Sequence, residues 1–180
     1  MFATILLTAL LLPSAITAQP NDERAFQRYR AAVDAYAALH RDAASALPEG
    51  RFCAGPEQLE LLRLVLASQI RILRSDTREG DIFDPDVSEV LRARLSRALA
   101  DDEDGFALAP SDFDDREDRP VFLEVNGFFP PESGAPRWRA LFWALPSLPE
   151  ELEYRFAGRD LVLVDVEARL VVDILRDAIR

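Results

Sequence analysis

The chain has 180 residues, with 32 acidic side chains against 21 basic ones, a formal charge of −11, and a single histidine and a single cysteine. Every basic residue is arginine, which excludes a lysine Schiff base, a lysine general base and a P-loop lysine. One His and one Cys likewise exclude, within one chain, a His-rich zinc site, a four-cysteine metal site, an iron–sulfur cluster, a CxxC redox pair and an internal disulfide; no cofactor is expected.

Residues 1–18, MFATILLTALLLPSAITA, carry no charged side chain and a Leu-rich run that ends in small residues. An export signal is built this way. The run is short and broken by Pro13, a poor match to a membrane span. Cleavage after Ala18 is the expectation, against which stand the bulk of Ile16 and the missing basic n-region. The alternative is an uncleaved segment that holds the protein on a membrane. In both cases the chain is expected to work outside the cytoplasm, periplasmic or secreted. The all-arginine composition fits a GC-rich genome and hence a bacterial source.

Residues 19–180 then form one domain with enough chain for a real core. A helix is predicted over 22–46, with Phe26, Tyr29, Val33, Tyr36, Ala37 and His40 on one face at steps of three and four. Pro48, Gly50, Gly55 and Pro56 mark a loop. A second helix starts at Pro56, where the missing N–H is harmless, with Leu59, Leu62, Leu66, Ile70 and Leu73 as its stripe. Asp84-Pro85 opens a third helix, Asp84 as N-cap and Pro85 at the first helical position; Val87, Val90, Leu91, Leu95, Ala98 and Leu99 are its apolar positions.

Residues 101–118 hold nine carboxylates and one base, Arg116, and so carry eight of the eleven net negative charges. The stretch 101–119 reads as an acidic loop. The rest of the chain has no basic stripe, which argues against a nucleic-acid partner. A strand is expected at Val121–Val125 and a turn at Asn126-Gly127, with Pro130-Pro131 stopping any long partner strand. Pro136 opens a short helix through Trp138, Leu141, Phe142 and Leu145.

Three strands are predicted at the C-terminal end: 152–156, 161–165 and 170–174. Four-residue connections pair Phe156 with Leu161, Tyr154 with Leu163, and Asp165 with Leu170. Opposed residues share a sheet face, so Leu152, Tyr154, Phe156, Leu161, Leu163, Leu170, Val172 and Ile174 fall on one face. Glu153, Arg155, Val162, Val164, Val171 and Asp173 fall on the other. The expected fold is α+β, three N-terminal helices on one side of a small antiparallel sheet.

The segment Leu152-Glu153-Tyr154-Arg155-Phe156-Ala157-Gly158-Arg159-Asp160-Leu161-Val162-Leu163, continuing through Asp165 to Leu170-Val171-Val172-Asp173, resembles the ending of a group of uncharacterised exported bacterial proteins. Residues 80–87, Gly-Asp-Ile-Phe-Asp-Pro-Asp-Val, resemble the same group; Asn is expected there at the position of Arg169. The resemblance implies export and a shared fold, and brings no activity, cofactor or catalytic residue.

Each candidate chemistry has a structural counterpart. His40 is a general base or metal ligand, or a polar residue near the end of a packed helix face. Cys53 is a thiol nucleophile with His40 as base, or a thiol under aromatic packing; no serine sits in a nucleophile-elbow motif. The acidic stretch binds Ca²⁺ or is a solvated loop; counting Gly105 as the EF-hand glycine puts Ala100 and Ser111 at ligand positions, which does not fit. Asp81, Asp84 and Asp86 form a metal site, or cap a helix and meet its positive end. Asp165 is a buried carboxylate on the apolar sheet face, or caps a turn at a strand end. Phe128, Phe129, Trp138, Phe142 and Trp143 form a contact surface for a protein or glycan, or fill the core between helices and sheet. The resulting expectation is a non-catalytic interaction domain of the bacterial cell envelope, with an unknown envelope protein or glycan as partner and a membrane only if the export segment stays attached. The alternatives are a carboxylate-based hydrolase and a Ca²⁺-dependent structural protein.

Overall fold

Among the described residues, four helices precede three strands: α1 (Pro20–Ser45), α2 (Pro56–Leu73), α3 (Pro85–Ala100), α4 (Arg139–Ala144), β1 (Leu152–Ala157), β2 (Asp160–Asp165) and β3 (Leu170–Leu175). The computed structural model describes residues 20–48, 55–101, 122–130 and 139–179. The expected export segment, Cys53, residues 102–119 of the acidic stretch, Val121 and Trp138 lie outside them. No helix among the described residues is long and apolar enough to cross a membrane.

The α+β arrangement is the one expected, with helices on one face of an antiparallel sheet of order β1-β2-β3. All six predicted face residues of α1 are buried, and Tyr29 reaches β1 through a buried 2.6 Å hydrogen bond between its hydroxyl and that of Tyr154. Asp84 caps α3 by accepting the Val87 N–H at 2.9 Å, with Pro85 at the first helical position. Arg28 of α1 donates to both Asp84 and Asp86, so the same carboxylates that start α3 dock it on α1. In α2 only Leu66, Ala67 and Ile70 are fully buried. Leu59 and Leu73, expected in its stripe, are exposed because the core stops short of the helix ends.

The register of β1 on β2 is the predicted one: Phe156 opposite Leu161, Tyr154 opposite Leu163. β3 begins as predicted, Leu170 opposite Asp165, and then departs from it. A bulge places Asp173, not Val172, opposite Leu163, and Ile174 opposite Val162. One extra residue reverses which face every later side chain takes. Asp173 therefore turns to the helix side and Ile174 to the other, the reverse of the expected sorting, and Leu175 joins the main core in place of Ile174.

The reason lies in the Asp173 carboxylate. Its Oδ1 accepts N–H bonds from Gly80 and Ile174, and its Oδ2 from Ile82 and Phe83, all at 2.7–2.8 Å. The α2–α3 connection closes around it, with Gly80 at φ 90°, a conformation glycine adopts without strain. Burial pushes the Asp173 pKa up, against the pull of the four N–H donors.

The second face of the sheet is covered by Leu123 and Phe129, packed on Val162, Val164, Val171 and Ile174. Residues 122–125 do not form the expected strand. The segment is held instead by a turn and one bridge, Phe128 to Leu170, with Asn126 in the turn at φ 64°. Arg74 and Asn126 lock that turn: Nη1 donates to Asn126 Oδ1, Nδ2 of Asn126 returns a bond to the Arg74 carbonyl, and Nη2 donates to the Val172 carbonyl, each at 2.9 Å.

Replacing Asp173 with Ala strands the buried N–H groups of Ile82 and Phe83 and exposes no compensating acceptor. It should lower stability by about 3 kcal/mol or more, read as a lower urea midpoint; an unchanged midpoint would sink the cradle as the organiser of β3.

Candidate functional site

His40 and Asp165, separate candidates in the sequence, meet in the structure. His40 stands one turn after Tyr36 on the buried face of α1, and Asp165 ends β2. The His40 Nδ1 lies 2.6 Å from Asp165 Oδ2, which also accepts the Tyr36 hydroxyl at 2.7 Å. Asp165 Oδ1 accepts the Ala168 N–H at 2.6 Å and so caps the β2–β3 connection. The buried carboxylate and the turn cap, posed as alternatives, are one residue doing both. On the other side of the ring, His40 Nε2 lies 3.4 Å from Glu167 Oε2. Next to it, Arg41 pairs with the buried Glu151 at 2.7 Å.

Burial opposes a charge on His40, but the Asp165 hydrogen bond and the carboxylates of Asp165 and Glu167 outweigh it. The His40 pKa stands above its ordinary value of 6.5. A carboxylate that orients an imidazole is half of a catalytic triad, yet a general base needs its second nitrogen open to a nucleophile or substrate. Here the ring is 3 % exposed and its second nitrogen faces Glu167. The ring, held between the carboxylates of Asp165 and Glu167, is a clamp that joins α1 to the β2–β3 connection. The sequence placed each residue on a buried face, His40 by the spacing of α1 and Asp165 by the strand register, but gave no sign that the two would meet.

The other carboxylate candidates are also bound into the fold. Asp81 accepts the Arg78 N–H at 2.8 Å. Asp84 caps α3, and its pKa falls below the ordinary carboxylate range because the Val87 N–H and Arg28 outweigh its burial. Asp86 bonds Arg28. Among the described residues, no group of three His, Cys, Asp or Glu side chains is placed to hold a metal ion.

The predicted aromatic surface divides. Phe129 is buried under the sheet's second face, Phe128 is half exposed at the edge of β3, and Trp143 on α4 is 84 % exposed. Trp138 and the side chain of Phe142 lie outside the described residues. Trp143 stands on the rim of a groove of about 1160 Å³ between α1, α3 and α4. Arg24 and Arg28 of α1 face Arg94 and Arg97 of α3 there, interleaved with Asp22, Asp86, Glu89 and Asp101. Arg94 lies over the Phe26 ring, 4.1 Å from its centre, which fixes one arginine of the wall. On its other side Trp143 borders a smaller, more apolar hollow of about 420 Å³ with Leu145, Leu148 and Tyr154.

Compared with known proteins, the chain matches no family model, no curated protein and no solved structure.

The clamp gives stability a defined pH dependence. Because the folded His40 pKa is raised above the unfolded value, its contribution is fully present below about pH 6.5 and is lost as pH rises through the folded pKa. Urea unfolding from pH 6 to 9 should show this loss in the native protein and not in His40→Gln; identical pH profiles for the two would overturn the clamp.

Proposed function

We propose that this chain is a non-catalytic interaction domain that works outside the cytoplasm, in the bacterial cell envelope, and that it binds its partner along the groove between α1 and α3. The observation that carries this reading is Trp143, a large aromatic ring left open to solvent on the rim of a concave surface. An exposed indole offers a flat apolar face, and the groove wall beside it offers guanidinium and carboxylate groups in alternation. Sugar rings present that same combination, apolar faces edged by hydroxyls, so an envelope glycan is the favoured partner. The binding reading also draws support from the catalytic candidates, since His40, Asp165, Asp84 and Asp86 are each committed to holding the fold together. The leader-like residues 1–18 and the likeness of the C-terminal segment to exported bacterial proteins support the location.

The test is a thermal-shift titration of the full chain with soluble fragments of envelope glycan, with parallel arms in Ca²⁺ and in EDTA. A ligand at one hundred times its Kd adds about 2.7 kcal/mol, a clear rise in Tm. Trp143→Ala should abolish the rise without changing the Tm of the free protein. No rise with any glycan, or a rise that survives Trp143→Ala, defeats the glycan reading. A rise specific to Ca²⁺ and reversed by EDTA supports the Ca²⁺-dependent structural protein instead, and release of reducing ends from the glycan supports the carboxylate-based hydrolase.

A further inference from the structure

α2 is apolar on two opposite faces. One face, Leu66, Ala67 and Ile70, packs into the core. The other carries Leu61, Leu64, Val65 and Ile72, all exposed, Leu61 at 61 % and Ile72 at 72 %. These four positions follow a spacing of three, four and seven residues and form one stripe along the helix. A surface helix ordinarily keeps one apolar face for the core; here, among the described residues, the second apolar face is left uncovered. Large apolar side chains exposed in line on one helix face mark a place where another molecule sits.

The flanks of the stripe indicate which molecule. Glu60 and Arg71 are eleven residues apart, close to three full turns, so they stand on the same flank at opposite ends of the stripe. When α2 lies antiparallel to its own copy across a two-fold axis, Glu60 comes opposite the partner subunit's Arg71, and the same pair recurs on the other side of the axis. A parallel two-fold pairing would put the two charged flanks on opposite sides of the contact and lose both pairs. The antiparallel arrangement also sets each helix N-terminus beside a C-terminus, a favourable meeting of dipoles. A two-fold contact needs this kind of self-complementarity, one surface patch that matches itself. A membrane surface would favour a stripe flanked by basic residues, whereas here acidic Glu60 shares the flank with Arg71. Glu60 now contacts Arg63 at 2.6 Å and Arg169 at 3.7 Å, and Arg71 donates its Nε to the Asn126 carbonyl; both side chains are anchored on the flank and need no rearrangement of the backbone.

We infer that the outward face of α2 is a homodimer interface in which two copies of this chain pair antiparallel through Leu61, Leu64, Val65 and Ile72. The inference concerns a different face from the Trp143 groove and does not depend on what that groove binds.

Sedimentation equilibrium of the full chain, from micromolar to near-millimolar concentration, should show a monomer–dimer equilibrium. Leu61→Asp with Ile72→Asp should weaken it by on the order of tenfold or more. Both residues lie outside the core, and an unchanged circular dichroism spectrum and Tm would confirm that the variant folds. Glu60→Arg alone and Arg71→Glu alone should each weaken dimerisation several-fold, and the two together should restore it. That rescue is peculiar to self-pairing of this geometry. A chain that stays monomeric throughout overturns the inference, as does a dimer indifferent to Leu61→Asp and Ile72→Asp, or a double charge swap no better than its single parents. A monomer that binds neutral lipid vesicles through Leu61 and Ile72 would give the face to a membrane and equally overturn it.

Discussion

Asp173 is a carboxylate with no exposure to water, and much of the molecule is arranged around its two oxygens. An unsatisfied buried carboxylate is too costly to keep, so the chain must bring donors to it. β3 shifts by one residue to aim the side chain at the helices, and the α2–α3 connection bends until Gly80, Ile82 and Phe83 point their N–H groups inward. Once that connection is fixed, Ile82 and Phe83 enter the core, Asp84 is delivered to the start of α3, and α3 comes to rest on α1 through Arg28. A local electrostatic requirement thus sets the relative placement of a strand and two helices.

The all-arginine composition acquires a structural meaning in this setting. Arginine side chains donate to backbone carbonyls at the ends and connections of elements: Arg63 to Glu167, Arg71 to Asn126, Arg74 to Val172, Arg92 to Arg176, Arg159 to Ile179 and Arg176 to Leu123. Carbonyls at such places lack ladder partners and need donors. A guanidinium has five N–H groups in a rigid fork and can join two or three segments at once, which an ammonium on a flexible stem does less well. Arg176 does so by holding Glu79, Asp160 and the Leu123 carbonyl together. For a chain with a single cysteine, these forks supply cross-links between distant segments that packing alone would leave loose.

What the sequence showed depended on the range of the interaction. Asp84-Pro85 is a local signal for a helix start and was legible as one. The β1–β2 register was legible because its two strands alternate cleanly and a short connection joins them. Val172 gave no warning of a bulge, since valine is equally at home on either face, and the donors that draw Asp173 across belong to residues about ninety positions away. The His40–Asp165 pair spans 125 residues, and no periodicity reports such a contact. α2 misled for a third reason: apolar residues populate both of its faces, so spacing alone named a stripe whose ends, Leu59 and Leu73, overshoot the core. At the aromatic surface the residue types were visible and their fates were not, because Phe128 and Phe129 are neighbours whose side chains alternate, one out and one in.

The turn that holds residues 126–129 against β3 has a further consequence, for solubility. An outer strand with open N–H and C=O groups is a template for the next copy of the same strand, the usual route to uncontrolled sheet growth. At the start of β3 these groups are occupied, because Val171 donates to the Gly127 carbonyl and its own carbonyl accepts from Asn126. The guard rests on a glycine: a Cβ at position 127 would stand 2.8 Å from the Glu124 carbonyl oxygen. The closing of this edge to a second strand thus depends on a position remote from the groove, where any side chain larger than hydrogen would collide with Glu124.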